Sequence, residues 1–480
     1  MAGTGAVPTA KPPSVLSSPS PTKMPPPRPP PPQPPAIART LQGRLVRWMT
    51  YPNPSGGLWM LNTIDGTSYR LPAQPVDSAT GVLIAAGASV TLTCYASSTQ
   101  RNVCLSIANA RAPFVAASTQ STANAALRVL VMVVSISTSS LSCPARPAGT
   151  TVQDVQNAFL APNGSAEFFR NCSYGQMVLD RQALKVVSTV VPCSASFLSC
   201  DEDAIANATL SNLPAGIQPE MFTHFVHVMP KDFLSICGYF VRAELLGSRS
   251  WLTADLPNQG IHFSASRHDA KKYTPSGLIL AEGKGIFDKG SVMQGLLINY
   301  GLYPAYSGGE LFNDSSTAMG DGRSCPSAPE LSSLGWATPL AQLNSSNFRE
   351  KVYQPYTLRA TYLGPAKVMI KIQPDWLKSY TKNLYLALRV KAAGDLDLND
   401  QFSGKLNIHE VNKNIDNLPV ATSDNPERSF LQVVGPRSFA ILSEYNMIIL
   451  VGDLVDSGTA IFLKICRFTF GSYECVDSPP

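Results

Sequence analysis

The sequence predicts an α+β protein of several domains, because three patterns follow one another along its 480 residues. Short strands separated by turn residues predict a small β domain over 38–118. Alternating strand and helix patterns predict an α/β domain over 122–346. Short strands at regular spacing predict a β-sandwich over 350–480. Charged residues make up only 15% of the chain, which favours sheet and turn over a solvated helical bundle.

The chain starts with a proline-rich segment, predicted to be a disordered tail over 1–37. Residues 1–36 hold 14 of the 40 prolines. Such a run lacks backbone donors and fixes φ, so it forms a polyproline II rod or a disordered tail. Its role is left open between a spacer, a docking ligand and a hydroxylated, glycosylated segment that anchors to a wall.

The next elements are predicted from local patterns. Asp65-Gly66 is a hairpin turn between two strands of the first β domain. In the central domain, ALRVLVMVV reads as a buried strand. Thr150 with Gln153 forms a capping box for the helix that follows, and further helices are predicted over 202–212 and 288–302. The last of these helices ends at Gly301, a typical C-terminal glycine.

Charge and hydropathy exclude two classes of protein. The net charge of +5 arises because six basic residues precede the first acid, Asp65, and the remaining 416 residues, from Asp65 onwards, sum to −1. The folded part therefore has no surplus of basic residues to form a nucleic-acid-binding face. The longest apolar run, 126–134, is too short for a membrane span and contains Arg128. We predict neither a nucleic-acid partner nor a membrane span.

Cysteines and glycosylation sequons indicate an exported chain. The ten cysteines include no C-x-x-C pair, and their number and spread favour disulfides. Three pairs are close enough for local bridges, although spacing alone does not determine the connectivity: Cys94/Cys104, Cys193/Cys200 and Cys466/Cys475. N-x-[ST] sequons occur at Asn163, Asn171, Asn207, Asn313 and Asn344. The first residues do not form a secretory leader, so the export route is open, and a cytosolic protein with ten free thiols is the alternative.

The five histidines do not suggest a local catalytic motif. His224 and His227 lie three apart in a predicted strand, so they point to opposite faces and cannot share a metal. His409 and Glu410 begin like the H-E-x-x-H motif, but position 413 is Lys. No G-x-S-x-G, P-loop or dinucleotide fingerprint occurs.

The most informative stretch is 292–336, VMQGLLINYGLYPAYSGGELFNDSSTAMGDGRSCPSAPELSSLGW. It combines an apolar helix, a tight glycine and a Ser/Asp-rich turn around Met319. It resembles the zinc-site region of the gametolysin family, metzincin-like metallopeptidases of the green-algal wall, in which H-E-x-x-H-N-x-G-L-x-H precedes a G-D-x-S-S-A-M-G turn. The chain keeps most of this framework: Asn299 to Tyr303, Ala305, the turn from Ser315 to Gly320, Cys325, Ala328-Pro329 and Leu334 to Trp336. The resemblance implies a metzincin-like α/β peptidase domain over 122–346.

The residues that would carry the chemistry are replaced. In the family motif, three His bind zinc and a Glu beside the first His acts as general base. Here the ligand positions hold Gln294, Ile298 and Pro304, and the base position holds Gly295. Some family members carry Gln at the first position, but Ile and Pro have no side-chain donor and Gly accepts no proton. We therefore expect no metal and no cofactor, although the family implies zinc.

Weaker similarities extend over 125–475. Cys172 to Gly175 resembles a C-S-Y-G segment of the family, and His227 to Pro230 with Cys237-Gly238 resembles the strand and C-G element that follow. Leu384 to His409 resembles the family's C-terminal β region. The β domain over 38–118 would correspond to the family's propeptide region.

The predicted function is a secreted pseudopeptidase of this family, located outside the cell or in its wall. It would be a matrix component or a binder of extended proline-rich glycoproteins, hydroxyproline-rich ones among them. Candidate cleft residues for binding are Asn299, Gly301, Tyr303 and Met319. One alternative is an active zinc or copper metalloendopeptidase with ligands such as His262 and His268. The other is a purely structural wall glycoprotein.

Overall fold

The protein is described from a computed structural model. The described residues are 37–52, 57–96, 101–112, 125–138, 143–230, 232–254, 284–416 and 427–477. The proline-rich tail predicted over 1–37 therefore lies almost wholly outside the described residues. Within them, no helix is long and apolar enough to cross a membrane.

The N-terminal region is a compact group of strands with its own core. Its strands are β1 Ile37–Tyr51, β2 Leu58–Thr63, β3 Ser68–Leu71, β4 Ser89–Ala96 and β5 Cys104–Arg111. Leu45, Leu61 and Val90 from three different strands are buried together, and the hairpin predicted at Asp65-Gly66 joins β2 to β3. A disulfide between Cys94 and Cys104 fastens β4 to β5. The strand pattern predicted here is confirmed.

The central region alternates strands and helices. Its strands are β6 Ala125–Leu127, β7 Val129–Ser137, β8 Met177–Leu179, β9 Lys185–Pro192, β10 His224–Val228, β11 Val241–Leu245, β12 Arg249–Leu252, β13 Tyr306–Ser307 and β14 Glu310–Leu311. Its helices are α1 Val152–Leu160, α2 Ser165–Cys172, α3 Ala195–Leu198, α4 Glu202–Ser211, α5 Phe233–Cys237, α6 Lys289–Asn299 and α7 Ala328–Ser333. The helices predicted over 202–212 and 288–302 are α4 and α6. The cap of α1 is Thr151, not Thr150, and its side chain accepts from Asp154 N.

One sheet contains the strands of both regions. Its order is β3-β2-β1-β11-β12-β10-β7-β9, with β4 and β5 attached beside β1. Strands β9, β7, β10 and β12 are parallel, whereas β11 is antiparallel to β12. Strand β1 then pairs with β11, from Arg47 opposite Leu245 to Tyr51 opposite Val241. The N-terminal strands thus continue the central sheet, a connection that local patterns did not predict.

The C-terminal region consists of two sheets around a common core. Its elements are β15 Pro339–Leu343, β16 Gln354–Arg359, β17 Met369–Ile372, β18 Lys382–Arg389, β19 Lys405–Asn412, α8 Lys413–Asp416, β20 Arg428–Val434, β21 Ser438–Leu442, β22 Met447–Val455 and β23 Ala460–Arg467. Leu386 and Ile408 of one sheet share a core with Ile449 and Ile461 of the other. The larger sheet runs β14-β13-β20-β19-β18-β17-β15, so it takes β13 and β14 from the segment after α6. The domain boundaries given above stay predictions.

All ten cysteines form disulfides. Two of the three local pairs are present, Cys94–Cys104 and Cys466–Cys475. The pair Cys193/Cys200 is wrong: Cys193 is bonded to Cys143 and Cys200 to Cys237. Cys193 directly follows β9, whereas Cys200 lies two residues before α4 and is bonded to Cys237, the last residue of α5. Five disulfides fit an extracellular protein.

Candidate functional site

Helix α6, which carries the degenerate motif, is enclosed by the fold. Asp288 begins it by accepting from the backbone N of Ser291 at 3.1 Å and from its hydroxyl at 2.7 Å. From Gly290 to Asn299 every residue is buried, and the helix packs on β11 and β12. A helix that is apolar around its whole circumference is suited to such a position.

The helix ends in a glycine motif, as predicted. Gly301 has φ of +89°, Leu302 N bonds to Leu297 O at 3.0 Å, and Gly301 N bonds to Ile298 O at 2.8 Å. This is the double hydrogen bond of a glycine-terminated helix. A Cβ at position 301 would lie 2.5 Å from Leu246 Cδ2, the end of a flexible side chain that can shift, so it is mainly the positive φ that favours glycine here.

Asn299 holds the end of the helix against the sheet. Its amide nitrogen donates to the carbonyls of Glu244 at 2.8 Å and Arg249 at 3.0 Å, and its oxygen accepts from the Ser250 hydroxyl at 3.1 Å. The residue is fully buried. Its polar atoms are therefore committed to the turn between β11 and β12.

Gln294 connects the helix to the turn around Met319. Its Nε2 donates to Ala318 O at 3.1 Å and to Gly320 O at 2.7 Å. Met319 lies between these two carbonyls and is completely buried. Ala305 N also donates to Met319 O at 2.9 Å, so the chain directly after Pro304 is tied to the same turn. Gln294, which occupies the first ligand position of the family motif, therefore links the helix to the turn through the hydrogen bonds of its amide.

We expect Gln294→Met to lower the free energy of unfolding by about 2–4 kcal/mol, because two buried carbonyls lose a donor while the side-chain volume is kept. Urea unfolding measures the change. The matched control is Gln153→Met on the exposed side of α1, where we expect about 0.5 kcal/mol or less. Equal effects at the two positions would show that the Gln294 bonds do not stabilise the fold.

The turn is also fixed by helix α7 and by strand β19 of the C-terminal sheet. Thr317 Oγ1 donates to Glu330 Oε2 at 2.5 Å, and burial raises the pKa of Glu330. His409 Nε2 of β19 lies 3.2 Å from both Ser316 Oγ and Asp314 Oδ2. These groups resemble the members of a catalytic triad, but all are buried, and Ser and Asp contact the same nitrogen. In a working triad they use different nitrogens, so this group is structural.

The other substituted positions are packed into the interior. Ile298, one turn after Gln294, is 1% exposed and belongs to the core beneath the sheet. Pro304 is buried. A Cβ on Gly295 would lie 3.3 Å from Ser250 Oγ and 3.6 Å from Val241 Cγ1, so this position faces the sheet at close range.

Strand β1 pairs with β11 and lies next to helix α6. Its alternate residues Arg47, Met49 and Tyr51 lie on the same face as α6. Met49 joins the core that contains α6, Arg47 lies 5.6 Å from the ring centre of Tyr303, and Tyr51 lies 5.1 Å from that of Phe312. Sequence patterns did not identify Arg47 or Tyr51 as neighbours of the site, because their only local signal is strand alternation.

The four candidate binding residues are buried or engaged within the protein. Asn299 and Met319 are fully buried, Tyr303 is 7% exposed, and Gly301 lies in the helix-terminating turn. Their role in binding stays a prediction. In the described structure, the burial of these residues does not favour a role in ligand binding.

The donor set does not fit a catalytic zinc. The ligand positions provide one amide, whose nitrogen faces two carbonyls, and two side chains without a donor atom. Among the described residues, no three His, Cys, Asp or Glu side chains are grouped to hold a metal ion. His262 and His268 lie outside the described residues. The expectation that the protein carries no cofactor stays a prediction.

His224 and His227 are buried on opposite faces of β10. His224 stacks on Tyr300, with ring centres 5.2 Å apart, and His227 stacks on Trp251 at 5.5 Å. Burial lowers the pKa of His224 to about 4 and that of His227 to about 3, so both are neutral near pH 7. They act as packing groups on two separate cores.

At the positions of the zinc motif, the described structure has hydrogen bonds from Gln294 and apolar packing around Ile298. Residues 128–444 match the family described as gametolysin peptidase M11. The match covers more than half of the chain, so the chain belongs to this family. No curated protein and no solved structure matches the chain.

Proposed function

We propose that this chain is a secreted pseudopeptidase that serves as a component of the extracellular matrix or cell wall. The observation that carries the proposal is the Gln294 amide, which binds the methionine turn at the first ligand position of the family motif. Position 295 lacks a carboxylate, and positions 298 and 304 lack donor atoms. Peptide hydrolysis by the family's chemistry needs all of these groups.

The pairing of β1 with β11 favours a role as a matrix component over the binding of peptides in the family's substrate cleft. An extended ligand binds a peptidase-like sheet by adding a strand to an exposed edge. Here β1 already occupies the edge of β11 through Arg47–Tyr51. Proline-rich glycoproteins, including hydroxyproline-rich ones, stay our proposed partners, and they would attach at other surfaces.

A cleavage assay tests the loss of activity. The secreted protein is incubated with casein and with a hydroxyproline-rich wall glycoprotein, in added zinc or copper, with and without a chelator. We expect the same background rate of peptide-bond cleavage in all samples. Cleavage that the chelator abolishes would overturn the proposal and support the alternative of an active metalloendopeptidase.

A sedimentation assay tests the matrix role. Native protein is mixed with purified algal wall material, washed with salt and compared with a reduced and alkylated sample of the same chain. We expect the native protein to be retained and the unfolded control to wash off. Complete loss of native protein into the wash would contradict a role in the wall.

A further inference from the structure

A groove lies beside the methionine turn, on the edge of the larger C-terminal sheet. It has a volume of about 440 Å³, within the usual range of small-molecule sites, about 300–1,000 Å³. Strand β20 pairs with β13 only at Ser429 and Phe430. In the described part of the chain no strand lies next to Leu431–Val433 on that side, so this edge of β20 borders the groove.

The groove lining is neutral, with hydrogen-bonding groups around an apolar floor. Phe402 is 4% exposed and packs edge-to-face on the half-buried Phe430, with ring centres 5.3 Å apart, so Phe430 and Leu431, which is 37% exposed, provide the apolar part of the lining. The polar lining residues are amides and hydroxyls: Gln401, Gln432, Asn313, Ser307 and Ser315. Amides and hydroxyls both donate and accept, as sugar hydroxyls require, and phenyl rings suit the apolar face of a pyranose.

One lining residue is a sequon asparagine. Asn313, in Asn313-Asp314-Ser315, is exposed, and its Nδ2 donates to Ser307 O at 3.3 Å. Glycosylation replaces one of the two hydrogens on Nδ2, so the other can keep this bond. The sequon is also fixed relative to β20, because Asp314 and Ser316 contact His409, whose ring packs on Phe430 at 5.4 Å.

We propose that Asn313 carries an N-linked glycan whose first sugars lie in this groove. Asn313 is one of the residues that line the groove, and the lining has the neutral, mixed aromatic and amide character that carbohydrate needs. The inference holds whether or not the chain cleaves peptides. It needs only export, which the five disulfides fit.

Site-specific trimming by an endoglycosidase tests the proposal. The protein is secreted from a host that attaches N-glycans, treated in its native state, and analysed as glycopeptides by mass spectrometry over time. Asn163 and Asn207 are exposed sequons outside the groove and serve as internal controls. We expect trimming at Asn313 to be about tenfold slower, which corresponds to about 1.4 kcal/mol of protection, and equal rates after denaturation.

A groove variant separates packing in the groove from other causes of slow trimming. Gln401→Ala with Gln432→Ala removes two amides, one exposed and the other half-buried. We expect faster trimming at Asn313 and unchanged rates at Asn163 and Asn207, and a urea unfolding curve of the variant shows separately that it is folded. An unoccupied Asn313, equal native rates at the three sites, or no response to the variant would overturn the proposal.

Discussion

Cleaving the chain between Ala112 and Ala125 is expected to leave the two pieces bound to each other. Strand β1 supplies five residues to the pairing with β11. Met49 belongs to the core around α6, and Trp48 packs on Trp251 at 5.8 Å. No disulfide joins the two pieces, because Cys94 and Cys104 are bonded to each other. The association is therefore noncovalent.

A hydrogen bond from a buried charged side chain adds to this association. Arg242 of β11 forms an ion pair with Glu202 of α4, and its Nε donates to the Thr50 hydroxyl of β1 at 3.0 Å. Loss of β1 would expose the backbone edge of β11 and remove the Thr50 hydroxyl as a hydrogen-bond partner of the buried Arg242. A hydrogen bond to a buried charged group contributes about 1.5–3 kcal/mol.

The experiment inserts a specific protease site between Ala112 and Ala125. After cleavage we expect the pieces to elute together on a sizing column in native buffer and to separate in denaturant. Met49→Asp places a charge in the core and should release the N-terminal piece. Gln42→Asp, on an exposed position of the same strand, should not. Release of the unaltered piece under native conditions, with the remainder still folded, would indicate a removable propeptide.

Glutamate at position 295 is expected to lower the free energy of unfolding by about 3–5 kcal/mol, because it buries a carboxylate without a partner. A Cβ there already lies 3.3 Å from Ser250 Oγ, and that hydroxyl donates to Asn299. Longer side-chain atoms would have to displace the packing between α6 and the sheet.

Alanine at the same position provides the control for Gly295→Glu. The gain in helix propensity over glycine, up to about 1 kcal/mol, opposes the tight contact of one Cβ, so we expect a change of about 1 kcal/mol or less. Urea unfolding compares the two variants. Equal stabilities would show open space beside Gly295 and contradict a closed site. The expected cost also means that failure to bind zinc after restoring three His and the Glu would not disprove the fold.

Local features were predictable where their cause lies within a few residues. The end of α6 at Gly301 and the close disulfides Cys94–Cys104 and Cys466–Cys475 are of this kind. The predicted cap of α1 lies one residue too early, because Thr150 with Gln153 matches the capping-box pattern, whereas the side chain that caps the helix is that of Thr151.

Long-range features were not predictable from these patterns. The alternation of apolar residues in β1 predicts which of its residues face the core. It does not predict that its partner is β11, almost 200 residues later in the chain. Cys193 and Cys200 are close in sequence, yet each is bonded to a more distant cysteine. The substitution at Gln294 was visible in the sequence, whereas its hydrogen bonds to Ala318 and Gly320 depend on how the turn folds over the helix.

Metal content tests the central claim most directly. The secreted, glycosylated protein is dialysed without chelator and its zinc and copper are quantified by mass spectrometry. We predict less than about a tenth of an equivalent of either metal, because the motif lacks the three ligands that a catalytic zinc needs. A content close to one equivalent would contradict the account, and His262 and His268 would then be the first residues to substitute.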